Sequence, residues 1–156
     1  MEKHTIPAFY HKDSQVLILG SFPSVKSREE GFYYAHPQNR FWKILSHLYQ
    51  EEIVDKKEFL TKHHIALFDV CASCEIKGSS DASIKKVVPN DLSKIMKESQ
   101  IKAIILNGKT ATNLYRKLIK GLEIETISLP STSPANATYG LDKLVEEYQI
   151  IKKFTE

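Results

Sequence analysis

The chain has 156 residues, 42% of them hydrophobic and 26% charged, a balance that fits one soluble globular domain, 1–156, with a sizeable core. No apolar run approaches the ~20 residues that span a bilayer, and the start, MEKHTIPAFYHKDS, lacks the apolar core of a secretion signal, so a cytoplasmic protein is expected. A formal net charge of +3 permits a polyanionic partner without demanding one, and two cysteines exclude a disulfide framework.

Residues 15–21 (QVLILGS) form the first expected strand, apolar throughout as in a sheet covered on both faces. The loop at 20–38 follows. Gly20, Ser21, Pro23 and Ser24 make a tight turn whose amides can face a phosphate. Tyr33, Tyr34 and His36 add flat faces and hydrogen-bonding tips, which can hold an unstacked nucleobase or simply pin a long loop to the core. Asn39 is an expected N-cap for a helix carrying Phe41, Leu45, Leu48 and Tyr49 on one face. Its amide can equally hold and orient a water.

Residues 65–70 (IALFDV) form the second strand, and a loop at 71–83 is expected after it. That loop opens with Cys71-Ala72-Ser73-Cys74. A zinc site needs four ligands, and the nearby His63 and His64 precede the strand, so they fall at its far end. No helix pattern follows closely enough for a thioredoxin-like pair, which leaves two reduced thiols as the reading. A helix with Leu92, Ile95 and Met96 on one face follows Asp91, another expected N-cap. Residues 102–107 (KAIILN) are the third strand. Gly108-Lys109 then leads into a helix with Ala111, Leu114, Tyr115 and Leu118 aligned and Gly121 as its stop. The fourth strand, 125–129 (ETISL), runs into LPSTSPANATYG (129–140), whose hydroxyls and amides can bind phosphate oxygens or form an ordinary polar turn. Leu141, Leu144, Val145, Tyr148 and Ile151 mark the last helix.

Strands alternating with helices predict right-handed crossovers and a three-layer α/β/α sandwich around a central, mainly parallel four-stranded sheet. Ligands of such sheets bind beyond the carboxyl ends of the strands. The loops at 20–38, 71–83 and 130–139, with Gly108-Lys109, therefore meet at one rim. They supply aromatics, amides and hydroxyls but few strong bases; Asp69 and Asp81 are the rim's two acids. Such a set suits a reaction with a cationic transition state and an oriented water, such as N-glycosidic hydrolysis.

GSFPS (20–24), YYAHPQNRFW (33–42) and LPSTSPANA (129–137), in that order, resemble the uracil-DNA glycosylase superfamily, and most closely its hypoxanthine-DNA glycosylase branch, family six, also called DNA-deoxyinosine glycosylases. FDVCASCEIKGSSDASIK (68–85) and ILNGKTA (105–111) are similar to that branch's middle loop and to the turn before its last motif. The resemblance implies a monofunctional enzyme that removes a deaminated base from double-stranded DNA with neither metal nor organic cofactor; a monomer is expected, because one lesion needs one pocket. It implies Asn39 as the catalytic water-orienting residue, with His36 as a candidate to assist the leaving base. Tyr34 would stack on the flipped base, Phe22 would line its pocket, and backbone groups of Asp69, Val70 and Cys71 would read its edge. Ser21, Ser24, Lys109, Ser131, Thr132, Ser133 and Asn136 would meet DNA. Phe22 stands where most members carry Asp or Asn, and Leu129 where many carry His. Those departures keep two other readings open: a glycosylase for uracil or several deaminated bases, and a lesion-binding module of the same fold without catalysis.

Overall fold

A computed structural model describes residues 1–155. In chain order the elements are β1 (Glu2–Lys3), β2 (Val16–Gly20), α1 (Val25–Glu30), α2 (Phe41–Tyr49), α3 (Lys56–Lys62), β3 (Ile65–Asp69) and β4 (Cys71–Glu75). A short 3-10 turn (Asp81–Ser83) leads to β5 (Lys85–Pro89), α4 (Ser93–Glu98), β6 (Ala103–Asn107), α5 (Lys109–Leu118), β7 (Glu125–Leu129), α6 (Leu141–Tyr148) and α7 (Ile150–Thr155).

Four strands form the central sheet in the order β3-β2-β6-β7, all parallel. The alternation of side chains explains why β2 is apolar at every position: a strand covered on both faces has no solvent side. Val16 and Ile18 enter one core with Ile65, Leu67 and Ile105, against Phe41, Ile44, Leu45, Leu144, Tyr148 and Ile151 of α2, α6 and α7. Leu17 and Leu19 enter the other, with Ala66, Ile104 and Leu106, against Leu92, Ile95 and Tyr115 beside and on α4 and α5. This is the expected three-layer sandwich. The register pairs Gly20 with Asp69 and Asn107 with Leu129, so the strands deliver their following loops to one edge of the sheet.

Several local expectations need correction: the loop expected at 20–38 contains α1, and Leu92 rather than Asp91 caps α4. The helix after Asn39 is capped by Arg40, whose backbone is non-helical; Asn39 still satisfies its first orphan donor, since its Oδ1 accepts from the Phe41 N–H at 2.9 Å. α5 ends at Leu118, before Gly121, because Ile119 turns extended (φ −97°, ψ 114°). The segment after β3 is not all loop: Cys71–Glu75 pairs antiparallel with β1 and β5 as a second sheet, β1-β4-β5. Residues three apart on a regular strand face opposite sides. Register shifts between Cys71 and Ser73 and between Ser73 and Glu75 twist β4, so both cysteines enter one buried cluster with Phe22. Among the described residues, no helix is long and apolar enough to cross a membrane.

Candidate active site

The loops after β2, β4, β6 and β7, with the end of β3, enclose one cavity of about 570 Å³ at the carboxyl edge of the central sheet. Gly20 through Ser24, Tyr34, His36 and Asn39 line one wall, Asp69 and Asp81 a second, and Asn107 through Lys109 with Ser131 through Asn136 a third. Its size is that of a small-ligand site.

The first wall is rigid for reasons legible in its hydrogen bonds. Ser24 caps α1, its hydroxyl accepting from the Ser27 N–H, and Gly31 closes that helix at φ +78°. Tyr33 is buried, and its hydroxyl donates to the carbonyls of Ile6 and Pro7, tying the loop to the N-terminal segment. Tyr34 sits in the left-handed region at φ 55°, a conformation that costs a non-glycine residue about 1 kcal/mol or more. It is held there by Phe41, stacked at 3.9 Å with planes 19° apart. Its hydroxyl lies near the Asn107 amide but is buried without a hydrogen bond of ordinary geometry. Burial, and then the Asp69 charge, push the Tyr34 phenol far up, so it remains a neutral hydroxyl.

His36 and Asn39 are fixed by the turn they share. The Asn39 N–H donates to the His36 carbonyl at 2.9 Å, and the Gln38 N–H donates to His36 Nδ1 at 3.1 Å. In the neutral ring Nε2 then carries the proton and acts as donor. The Phe41 N–H fixes the orientation of the Asn39 amide, and Oδ1 keeps a second lone pair for a water.

Asp69 ends β3 at 3% exposure, one oxygen held by His4 Nε2 at 2.8 Å. Val70 and Cys71 do not reach the cavity. The Val70 and Cys71 N–H groups donate to Gly20 and Ser21, and Asn90 donates to the carbonyls of Asp69, Val70 and Cys71. With the N–H groups of Val70 and Cys71 spent and neither residue lining the cavity, the Asp69 side chain is the polar group at this point. Burial pushes both thiols up, Cys71 most, which opposes thiolate chemistry.

Two further acids and amides were only partly legible in sequence. Asp81, on the 3-10 turn, accepts from Ser21 Oγ at 2.7 Å. Burial raises its pKa against the opposing effect of that hydrogen bond, and the Asp69 charge adds to the rise. The Ser21 and Ser24 hydroxyls, expected at phosphates, are instead committed to Asp81 and to α1. Asn107 clasps Thr132 from both ends of its amide, Nδ2 to Oγ1 and Oδ1 from the N–H, each at 3.1 Å. Thr132 is thus a buried anchor, 1% exposed, its hydroxyl and N–H both held by Asn107.

The last loop braces itself. Ser131 Oγ accepts from the Ser133 N–H, Ser133 Oγ from the Ala135 N–H, and Asn136 Nδ2 donates to the Ser131 carbonyl. Each serine hydroxyl keeps its own proton for an outside acceptor. Gly108, at φ +100°, lets the α5 start press close: a Cβ there would lie 2.9 Å from Ser131 Cβ. Arg40 locks the assembly. Its guanidinium donates to the carbonyls of Thr132, Ser133, Asn136 and Tyr139. Neither His4 nor Arg40 was found in the sequence, since partners 65 to 99 residues away leave no local signal.

The comparisons identify the class of protein that this fold and site belong to: residues 7–154 match the model of the Uracil DNA glycosylase superfamily, to which this chain belongs. It is 34% identical over 149 residues to a protein named "Hypoxanthine DNA glycosylase" from Methanosarcina acetivorans, covering 92% of this chain and 94% of that one. A protein of the same name from Methanosarcina barkeri is 32% identical over 143 residues, covering 87% and 89%. Among solved structures, the solution NMR structure of a candidate uracil DNA glycosylase from M. acetivorans superposes with a TM-score of 0.82 at 30% identity, covering 99% of each chain.

Proposed function

We propose that this chain is a monofunctional DNA glycosylase, a cytoplasmic monomer, that removes hypoxanthine from duplex DNA by hydrolysing the N-glycosidic bond. One observation carries the reading. The loops after β2, β6 and β7, the end of β3 and the loop after β4 close on a single cavity whose walls hold Asn39, His36, Asp69 and Asp81. The two relatives named for hypoxanthine support the choice of base.

DNA approaches the rim formed by Lys109, the α5 N-terminus and the Ser131 and Ser133 hydroxyls, which meet phosphate oxygens. A deaminated base pairs weakly and leaves the stack at low cost. It enters the cavity beside Phe22 and Tyr34, where its polar edge meets Asp69. As the C1′–N9 bond stretches, positive charge develops on the sugar and negative charge on the base. Asn39 Oδ1 holds a water toward C1′. The water oxygen bonds to C1′, the C1′–N9 electron pair leaves with the base, and Asp81 takes the proton the water gives up. His36 Nε2–H donates to the departing base, which ends neutral once it takes a proton. The deoxyribose is left as an abasic site. Lys109, the cavity's lysine, serves phosphate and forms no Schiff base.

The test is base release from duplexes carrying one inosine, one uracil or one xanthine, scored with and without alkaline cleavage, for wild type and Asn39→Ala. Inosine release that falls at least 100-fold in Asn39→Ala is the expected result, given what a positioned catalytic group contributes. Preferential uracil release overturns the choice of base. Strand cleavage without alkali overturns the monofunctional chemistry. Lesion binding with no release of any base leaves the lesion-binding module in its place.

A further inference from the structure

The proposed mechanism makes no use of the N-terminal segment, yet that segment reaches the floor of the cavity. Glu2 and Lys3 pair with Cys74 and Ser73, and the His4 N–H donates to the Ala72 carbonyl at 2.8 Å. This pairing carries the His4 ring under the site, among Phe22, Tyr33 and Phe68, with ring centroids 5.1 to 6.1 Å away. There Nε2 lies 2.8 Å from Asp69 Oδ2, and both side chains are about 5% exposed or less. With a carboxylate as partner, Nε2 is the donor.

The other oxygen, Oδ1, has no protein donor among the described residues. It lies so close over Gly20 that a Cβ there would be 2.6 Å away. The same point is 3.2 Å from the Tyr34 hydroxyl, which also lacks a partner. Both atoms flank that one point beside Gly20, and the Asp69 carboxylate is held in place from behind by His4.

We propose that His4 is a positioning residue, which fixes Asp69 so that Oδ1 accepts the N1–H of a 6-oxopurine and rejects a 6-aminopurine. The inference rests on the function proposed above. A 6-oxopurine carries hydrogen on N1; adenine carries a lone pair there. A carboxylate is acceptor-only, so it pairs with the first and faces the second acceptor to acceptor. An enzyme site built to satisfy one polar group discriminates strongly, because the wrong substrate leaves that group buried and unpaired. The selection works only while the carboxylate cannot swing away. His4 holds one oxygen, and the backbone at Gly20 limits the other.

The experiment compares single-turnover release of hypoxanthine and of unsubstituted purine from matched duplexes carrying deoxyinosine or deoxynebularine. Purine lacks both the N1–H and the 6-oxo group. His4→Phe fills the aromatic surroundings but cannot donate; His4→Gln can. The expected result is a loss of tenfold or more in inosine release for His4→Phe, with purine release nearly unchanged and partial recovery in His4→Gln. In an Asp69→Asn background, His4→Phe costs little further, because it acts through Asp69. Equal losses on both substrates, an unaltered His4→Phe, or additive losses in the double variant overturn the positioning role while the glycosylase reading stands. Failure of the wild type to release any base overturns both.

Discussion

Gly20→Ala tests the close approach at the heart of the site. The added Cβ would sit 2.6 Å from Asp69 Oδ1, about 0.8 Å inside ordinary contact, which begins near 3.4 Å. The backbone of β2 cannot yield easily, because it is paired on one side to β3 and on the other to β6. The Asp69 side chain must therefore turn, which sacrifices its charge-assisted hydrogen bond to His4, about 1.5–3 kcal/mol. Replacing Gly by Ala narrows the unfolded ensemble and offsets about 0.4–1 kcal/mol of this. The net loss is about 1–2 kcal/mol, or a fall in Tm of roughly 2–8 °C for a domain of this size. Inosine release should fall at least tenfold, since the displaced carboxylate no longer meets the base. Thermal denaturation and single-turnover release measure the two effects. Gly140→Ala is the control, because a Cβ there meets nothing within 4 Å and should leave the rate unchanged. Wild-type Tm and wild-type rate in Gly20→Ala would refute the reasoning.

Arg40→Ala removes the guanidinium that gathers four carbonyls of the last loop, so KM for the duplex should rise several-fold and amide exchange across 131–137 should accelerate. Arg40→Lys should recover only part, because an ammonium lacks the planar fork that reaches several acceptors at once; unchanged exchange in Arg40→Ala would count against the clamp. Asp81 supplies a pH prediction. Its folded-state pKa is raised, chiefly by burial, so the folded protein binds more protons than the unfolded chain in the window above the ordinary carboxylate value. Its burial therefore costs stability at neutral pH, and the cost disappears as pH falls through the raised pKa toward 3.8. Asp81→Asn should accordingly raise Tm at pH 7 and lose that advantage near pH 4; a pH-independent difference would contradict the cause assigned.

The four central strands, most of the helices between them and the rim where their loops meet could be read from the chain, while α1, inside the expected loop at 20–38, and α3 could not. The physical reason is that they depend on local pattern. VLIL in β2 and AIIL in β6 have no polar face, which only a sheet buried on both sides tolerates, and connections through helices force the strands parallel. Asn39, His36, Asp69 and the serine-rich loop lie at strand ends or helix starts, so order along the chain was enough to gather them at one cavity. What each group is free to do was settled by packing. The backbone of Val70 and Cys71 is spent on Gly20, Ser21 and Asn90, and the Ser21 hydroxyl on Asp81. The twisting of β4 that buries both cysteines together is a mismatch between paired strands, which periodicity in one of them does not encode. His4 lies in no motif, and the place of Arg40 within the motif at 33–42 says nothing of its partners. One meets a carboxylate 65 residues on and the other a loop more than 90 residues on, and such pairings exist only once the layers have closed.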